Sequence, residues 1–211
     1  MTSNLRSEIY DYFITSMTTR WYRAFLCRLP AGSSILDIGI GTASALIANK
    51  DVILNRNLKI KGVDYDKHYV DAAEGNIRVA GLSKHIEVVC ASIHDYSPSS
   101  EKEKYDAIYF SGSFMIIPDK VKALERCKPW LNQNGGRFYF TQSFQHKNAL
   151  GNLVNSIVKP ALKMFLTIDF GEVTYRDEFA KTLEQANMKI EVFDVMFQAT
   201  MRDEVLVIAK A

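Results

Sequence analysis

The sequence lacks long hydrophobic runs and a strong excess of charge of either sign. No stretch of the 211 residues reaches the roughly 18 consecutive apolar residues that a membrane-spanning helix needs. Residues 1–8 are polar and contain no apolar segment of a secretory signal, which predicts a cytoplasmic protein. The net charge of +2 gives no basic stripe, so we expect no nucleic-acid partner.

Cysteine is also scarce. Cys27, Cys90 and Cys127 are odd in number, far apart, and fit no CxxC or Cys/His spacing. We therefore predict no metal site and expect reduced, buried thiols in an intracellular protein. Internal repeats and low-complexity segments are missing, and the chain has the length of one α/β domain with a substantial core, which predicts a single domain over 1–211.

Strand-like segments alternate with helical ones over most of the chain. Strands are predicted at 34–38, 59–63, 86–90, 107–110 and 137–141, and helices from about 43, at 67–80, at 119–131 and at 177–187. This alternation predicts a three-layer α/β fold with a mostly parallel sheet. The last two strands, 189–195 and 204–209, are joined by a link too short for a parallel return, so we expect an antiparallel hairpin.

The first strand runs into a glycine turn that indicates a nucleotide-like ligand. Asp37 stands two residues before Gly39, and Gly41 follows. The glycines allow a tight turn and leave room for a ligand against the main chain. A pyrophosphate would be repelled by the carboxylate beside this turn, whereas a cofactor with a cationic amino-acid group would be stabilised by it.

Two further features bear on the identity of the ligand. Ser44 replaces the third small residue of a dinucleotide-binding GxGxxG, and no Gly-Lys-Ser/Thr of a phosphate-binding loop follows. Asp64 ends the second strand, 23 residues beyond Gly41, where a carboxylate can accept hydrogen bonds from both ribose hydroxyls. The alternative for Asp64 is a solvent-exposed acidic turn, and we predict that Asp66 caps the helix that follows.

Segment 37–43, with the sequence DIGIGTA, resembles the first motif of class I S-adenosylmethionine-dependent methyltransferases, an acidic residue followed by GxGxG. Ala43 replaces the last glycine, at a position where a small side chain should suffice. The similarity covers about residues 33–210. It implies a Rossmann-like methyltransferase fold, S-adenosyl-L-methionine as cofactor, and in-line methyl transfer to the amine, hydroxyl or thiol of a small-molecule acceptor.

The resemblance also implies which residues bind the cofactor. Tyr65 matches an aromatic position suited to lie against the adenine ring. Ser92 matches an acidic position that accepts a hydrogen bond from the adenine amino group, although a shifted register would give this role to Asp95. The predicted cofactor-binding set is Asp37, Ile38, Gly39, Gly41, Ala43, Asp64, Tyr65, Ala91, Ser92, Ile93 and Ser111.

The acceptor side has to be predicted from segments outside these motifs. Segment 1–30 is rich in aromatic residues and forms either a lid over the cofactor, with Tyr10 as the preferred lid residue, or a helix packed on the sheet. Segment 142–172 is predicted as an acceptor-side insertion, either a broken helix over the mouth of the site or an apolar lid for a membrane-borne acceptor. Gln142 and His146 are candidate polar contacts to the acceptor.

No catalytic residue is obligatory, because positioning of both reactants supplies much of the acceleration. The candidates for a catalytic role are His94, Tyr10 and His146. Two alternatives stay open. The first is an NAD(P)-dependent oxidoreductase, which would also use a carboxylate to bind the ribose, although this sequence has no Tyr-x-x-x-Lys pair. The second is a non-catalytic scaffold, which is suggested because Ser92 stands where the pattern has an acidic residue.

Overall fold

The computed structural model describes residues 3–146, 174–200 and 202–211, with the side chains of residues 3–14 outside the description. Within these residues seven strands form one sheet. They are β1 (Ser34–Ile38), β2 (Lys59–Asp64), β3 (Ile86–Cys90), β4 (Ala107–Ser111), β5 (Arg137–Gln145), β6 (Lys189–Gln198) and β7 (Arg202–Lys210). Their order is β3-β2-β1-β4-β5-β7-β6. The first five strands are parallel, and β7 pairs antiparallel with both β5 and β6, so the predicted fold is confirmed.

Helices cover both faces of the sheet. They are α1 (Ser3–Leu26), α2 (Ser44–Ile47), α3 (Lys50–Asn55), α4 (Lys67–Val79), α5 (Lys120–Cys127) and α6 (Arg176–Gln185). The first four contribute to one apolar cluster and the last two to another, one on each side of the sheet. The central strand β4 is buried on both faces at Ala107, Ile108, Tyr109 and Phe110, which explains its continuous apolar sequence.

The C-terminal half of α1 packs directly on the sheet. Phe25 stacks on Tyr109 with a centroid distance of 3.9 Å, and Tyr22 meets the same ring edge-on at 5.2 Å. Trp21, Tyr22 and Phe25 are all at most 3% exposed. This half of the helix therefore follows the packing alternative, while the proposed lid residue Tyr10 has its side chain outside the described residues.

Three segments differ from the predicted boundaries for identifiable reasons. The helix predicted at 119–131 stops at Cys127 and continues as a 3-10 turn over Lys128–Trp130, because Pro129 has no amide hydrogen for a helical bond. Instead of one helix from 43, two short helices form. Strand β5 runs four residues beyond its predicted end, since its pairing with β7 continues to the Gln145–Arg202 pair.

The predicted acceptor-side insertion lies mostly outside the described residues. Residues 142–145 continue strand β5, and residues 147–173 are outside the described part of the chain. Contact of this insertion with a membrane or an acceptor stays a prediction. In the described part of the chain, no helix is long and apolar enough to cross a membrane.

The prediction of buried thiols is correct for Cys127 and wrong for Cys27 and Cys90, which are exposed. Cys27 follows the last residue of α1 on its solvent side. Cys90 ends β3, which is an edge strand with a neighbour on one side only. All three are free thiols.

Candidate functional site

The glycine turn after β1 is pressed against its neighbours on one side and open on the other. The amide of Gly39 donates to the carbonyl of Val63 at 2.8 Å, and its φ of +79° favours glycine. A β-carbon added to Gly39 would stand 2.5 Å from the Cβ of Ser113, whereas one added to Gly41 would meet no atom within 4 Å. Gly39 is thus required by packing, and Gly41 leaves bare main chain beside open space.

The third small position of the motif also has a left-handed backbone. Ala43 has a φ of +59° and precedes α2 as its N-cap, with its side chain only 2% exposed. This conformation costs an alanine about 1–2 kcal/mol. The turn therefore keeps the shape that glycine would favour, although the sequence departs from the motif there.

Asp37 is buried beside this turn, and only one of its carboxylate oxygens has a partner. Its Oδ2 accepts a hydrogen bond from the hydroxyl of Tyr22 at 2.7 Å, while Oδ1 is buried without a hydrogen-bond partner among the described residues. Burial raises the pKa of Asp37 to about 7, the Tyr22 hydrogen bond opposes this rise, and the charge of Asp64 adds to it. The orphaned oxygen is costly until a ligand supplies a donor.

Asp64 organises the turn as well as facing the candidate ribose position. Its Oδ2 accepts from the amide of Gly41 at 2.9 Å and its Oδ1 from the amide of Asp66 at 3.0 Å. Because Asp64 is only 7% exposed, the alternative of a solvent-exposed acidic turn is wrong. Each carboxylate oxygen can accept a second hydrogen bond, so the ribose role stays a prediction that the geometry allows. Asp66 caps α4 through the amide of His68 at 2.8 Å, as predicted.

The predicted adenine side lies at the adjoining ends of β2 and β3. The amide of Ala91 donates to the carbonyl of Asp64 at 2.8 Å, which holds the two strand ends together. Tyr65 is 77% exposed, so its ring is accessible to a planar ligand. The Ser92 hydroxyl accepts from the amide of His94 at 3.2 Å and shapes the loop after β3, while Asp95 is exposed to solvent.

Two of the predicted site residues have side chains that are buried in the core. The side chains of Ile38 and Ile93 are 3% and 6% exposed and belong to the apolar core. The carbonyl of Ile38 accepts a hydrogen bond from the hydroxyl of Ser113, which fixes the loop after β4 against β1. Ser111 ends β4, and the amide that follows it donates to the carbonyl of Thr141 on β5.

The catalytic candidates have different surroundings. In His94, Nε2 donates to the carbonyl of Pro118 at 2.9 Å, which ties the loop after β3 to the loop after β4 and favours a structural role. His146 lies beyond the end of β5 with its Nε2 3.0 Å from Oδ2 of Asp203. Nearby on β5, Gln142 is 9% exposed; its Nε2 donates to Thr174 Oγ1 at 3.2 Å, and its Oε1 has no partner in the described structure.

Two contacts that anchor α1 could not be predicted from the sequence. The Tyr22–Asp37 bond joins the helix to β1, and the indole of Trp21 donates to Oε2 of Glu204 on β7 at 3.0 Å. Glu204 is 2% exposed, and Arg20 approaches the same oxygen at 3.4 Å. The sequence places both aromatic residues in an aromatic segment but does not indicate their partners, because these are distant along the chain.

A cavity of about 260 Å³ lies away from these residues. Its walls include Lys59, Lys61, His85 and Glu103, at the amino ends of the strands. Lys61 and Glu103 form an ion pair across it at 2.8 Å. Open parallel sheets bind ligands at the carboxyl ends of their strands, so the candidate site is the glycine turn and its surroundings.

Part of the chain matches a known protein family. Residues 35–135 match the model of the methyltransferase domain family. Among curated proteins, no sequence matches the chain significantly.

Solved structures show the same fold at low identity. A SAM-dependent methyltransferase from Aquifex aeolicus is similar with a TM-score of 0.60 and 18% identity over 85% of this chain and 84% of that one. The geranyl diphosphate C-methyltransferase of Streptomyces coelicolor A3(2) gives a TM-score of 0.66 and 12% identity over 92% and 78%. The [4+2]-cyclase SpnF is similar with a TM-score of 0.65 and 18% identity over 84% of this chain and 60% of the cyclase chain.

The cyclase shows that this fold also occurs in a protein named for other chemistry, so the fold alone does not define the reaction. The family match and the motif geometry are more specific. Residues 35–135 match the methyltransferase domain family, and the chain has the Rossmann-like fold of class I methyltransferases that its resemblance to them implied.

Proposed function

We propose that this protein is an S-adenosylmethionine-dependent methyltransferase that acts on a small-molecule acceptor. The observation that carries the proposal is the buried carboxylate of Asp37, with one oxygen unsatisfied, next to the main chain left bare at Gly41. A cationic amino-acid group fits this environment, whereas the pyrophosphate of a dinucleotide would be repelled by it. The family match over residues 35–135 supports the same conclusion.

Different residues around the turn would bind different parts of the cofactor. When bound, S-adenosylmethionine supplies a methyl carbon that is already activated for displacement. Asp64 has spare hydrogen-bonding capacity for the ribose hydroxyls, and the exposed ring of Tyr65 offers a surface for the adenine. Holding both reactants in line removes about 7–11 kcal/mol of barrier in favourable cases, so this reaction does not depend on a catalytic side chain.

The acceptor side of the proposal is supported by polar groups at the end of β5. The unpaired Oε1 of Gln142 is available to accept a hydrogen bond from the acceptor, and His146 is paired with Asp203 through one ring nitrogen. These groups suit an acceptor that carries a hydroxyl or an amine. A thiol acceptor would need less assistance in losing its proton.

Calorimetric titration with S-adenosylmethionine or its demethylated product tests the cofactor. We expect binding to the wild-type protein and a loss of at least tenfold in affinity for Asp64→Ala, because hydrogen bonds to a charged group are lost. Asp71→Ala is the matched control, since Asp71 is an exposed carboxylate of α4 that, among the described residues, pairs with Lys67 alone. No binding to the wild type, or equal affinities for the three proteins, would refute the proposal.

Two further measurements separate the alternatives. An oxidoreductase would be stabilised by NAD rather than by S-adenosylmethionine in a thermal unfolding experiment. A scaffold would bind the cofactor but release no demethylated product with a panel of amines, phenols, thiols and carboxylates. Product formation with any member of the panel would establish methyl transfer.

A further inference from the structure

Helix α1 reaches the candidate cofactor site through a side chain outside the predicted set. The Tyr22 hydroxyl donates to Oδ2 of Asp37 at 2.7 Å, and the two side chains are 3% and 1% exposed. The ring of Tyr22 is fixed in turn by its edge-on contact with Tyr109. One oxygen of the carboxylate is therefore held in a defined position before any ligand arrives.

No cation neutralises this carboxylate in the described structure. The groups that act on it are Tyr22 from α1, Tyr109 from β4 and Asp64 from β2, and none of them carries a positive charge. Burial without a counter-ion favours the protonated carboxyl, which is why the pKa of Asp37 lies at about 7. The orphaned Oδ1 is the atom that lacks a donor.

We propose that Tyr22 is a positioning residue that holds Asp37 so that its free oxygen receives the α-amino group of S-adenosylmethionine, and that this binding expels one proton from Asp37. The inference rests on the proposed function. The O–H bond of the Asp37 carboxyl breaks and its proton passes to the solvent buffer. The ammonium group keeps its charge and donates an N–H hydrogen bond to the new carboxylate.

Tyr22 keeps its own proton in this step. Burial, followed by the charge of Asp37, raises the pKa of Tyr22 well above its usual value. Its hydroxyl can therefore donate to Asp37 throughout, and donation to the charged form is stronger than donation to the neutral one. Tyr22 thus favours the state of Asp37 that binds the cation.

Cofactor affinity should depend on pH through the ionisation of Asp37. If only the ionised carboxyl binds, the apparent affinity follows the ionised fraction of Asp37. With a pKa of about 7, that fraction rises roughly fifteenfold between pH 5.5 and pH 7.0. The α-amino group of the ligand remains mostly protonated in this range, so its own titration contributes little.

The first experiment titrates the wild-type protein with S-adenosylhomocysteine from pH 5.5 to pH 7.0. We expect the fifteenfold rise and, from titrations at pH 6 in buffers of different ionisation enthalpy, release of nearly one proton per cofactor. 5′-Methylthioadenosine, which lacks the amino-acid group, is the control ligand, and its affinity should not change with pH. Binding of S-adenosylhomocysteine with no pH dependence and no proton release would overturn the inference but leave the proposed function standing, whereas no binding at any pH would refute the proposed function.

The second experiment compares Tyr22→Phe with Tyr139→Phe. Loss of the hydrogen bond to Asp37 should lower cofactor affinity at pH 7 by tenfold or more and move the midpoint of the pH profile upward by at least one pH unit. Tyr139 is a buried tyrosine of β5 that contacts the same helix through Phe25, so its variant should keep the wild-type profile. Weaker binding of Tyr22→Phe with an unchanged profile would show a merely structural role, and if that variant does not fold, the proton count of the wild type decides.

Discussion

Asp37→Asn should make the ligand-free protein more stable, by an amount that grows with pH. In the wild type the pKa of Asp37 is raised from 3.8 to about 7, so between these values the folded protein keeps a proton that the unfolded chain has lost. The stability that protonated Asp37 contributes is full below pH 3.8 and is lost as the pH rises through 7, a total of about 4 kcal/mol. Asparagine keeps the shape of the side chain and an oxygen for Tyr22 but cannot ionise.

Urea unfolding followed by tryptophan fluorescence at pH 5, 6, 7 and 8 measures this effect. The free energy of unfolding of the variant minus that of the wild type should increase by about 2–3 kcal/mol from pH 5 to pH 8. Constant contributions, such as the unpaired amide hydrogens of the new side chain, cancel in this trend. A difference that is independent of pH, or that decreases, would show that Asp37 ionises normally in the folded state and would refute the reasoning.

Two predictions concern packing around the site. Gly39→Ala should lower the free energy of unfolding by about 3 kcal/mol or more in chemical denaturation, because its β-carbon would overlap the loop after β4. Gly41→Ala should lower it by only about 1 kcal/mol, because of its positive φ, and should reduce cofactor affinity instead. Equal losses of stability in the two variants would contradict this contrast. Trp21→Phe removes the indole donor from the buried carboxylate of Glu204 and should lower the free energy of unfolding by about 1–3 kcal/mol. An unchanged free energy would mean that Arg20 and Arg202 fully satisfy that carboxylate.

The strands and the glycine turn were predictable because their signals are local. Segments such as Ser34–Ile38 and Ile86–Cys90 are short apolar runs bounded by turn residues, and both strands match their predicted bounds. The extension of β5 to Gln145 was not predictable in this way, because it depends on pairing with β7 some 60 residues later.

The candidate site shows the same contrast between features with local sequence signals and features that depend on distant contacts. The acidic and glycine positions of the motif could be placed from spacing alone, and Asp66 was correctly identified as a cap from its position before the helix. The hydrogen-bond partner of Asp37 could not be predicted from the sequence, because the Tyr22 contact depends on how α1 docks across the sheet. Burial of Asp64 and exposure of Cys90 likewise follow from strand order rather than from neighbouring residues.

The anchoring of α1 limits how far its C-terminal half can move away from the sheet. Trp21 and Tyr22 are adjacent in the sequence, yet they bond to β7 and β1, which lie on opposite sides of the β4–β5 pair. Lifting this part of the helix would expose four buried side chains, Trp21, Tyr22, Phe25 and Leu26, at a cost on the order of 6–12 kcal/mol. It would also remove the donors that α1 supplies to Asp37 and Glu204. An opening of that cost leaves this half of the helix docked on the sheet nearly all of the time. Residues 21–26 of α1 are therefore a fixed part of the candidate site, present in the same place with or without a ligand.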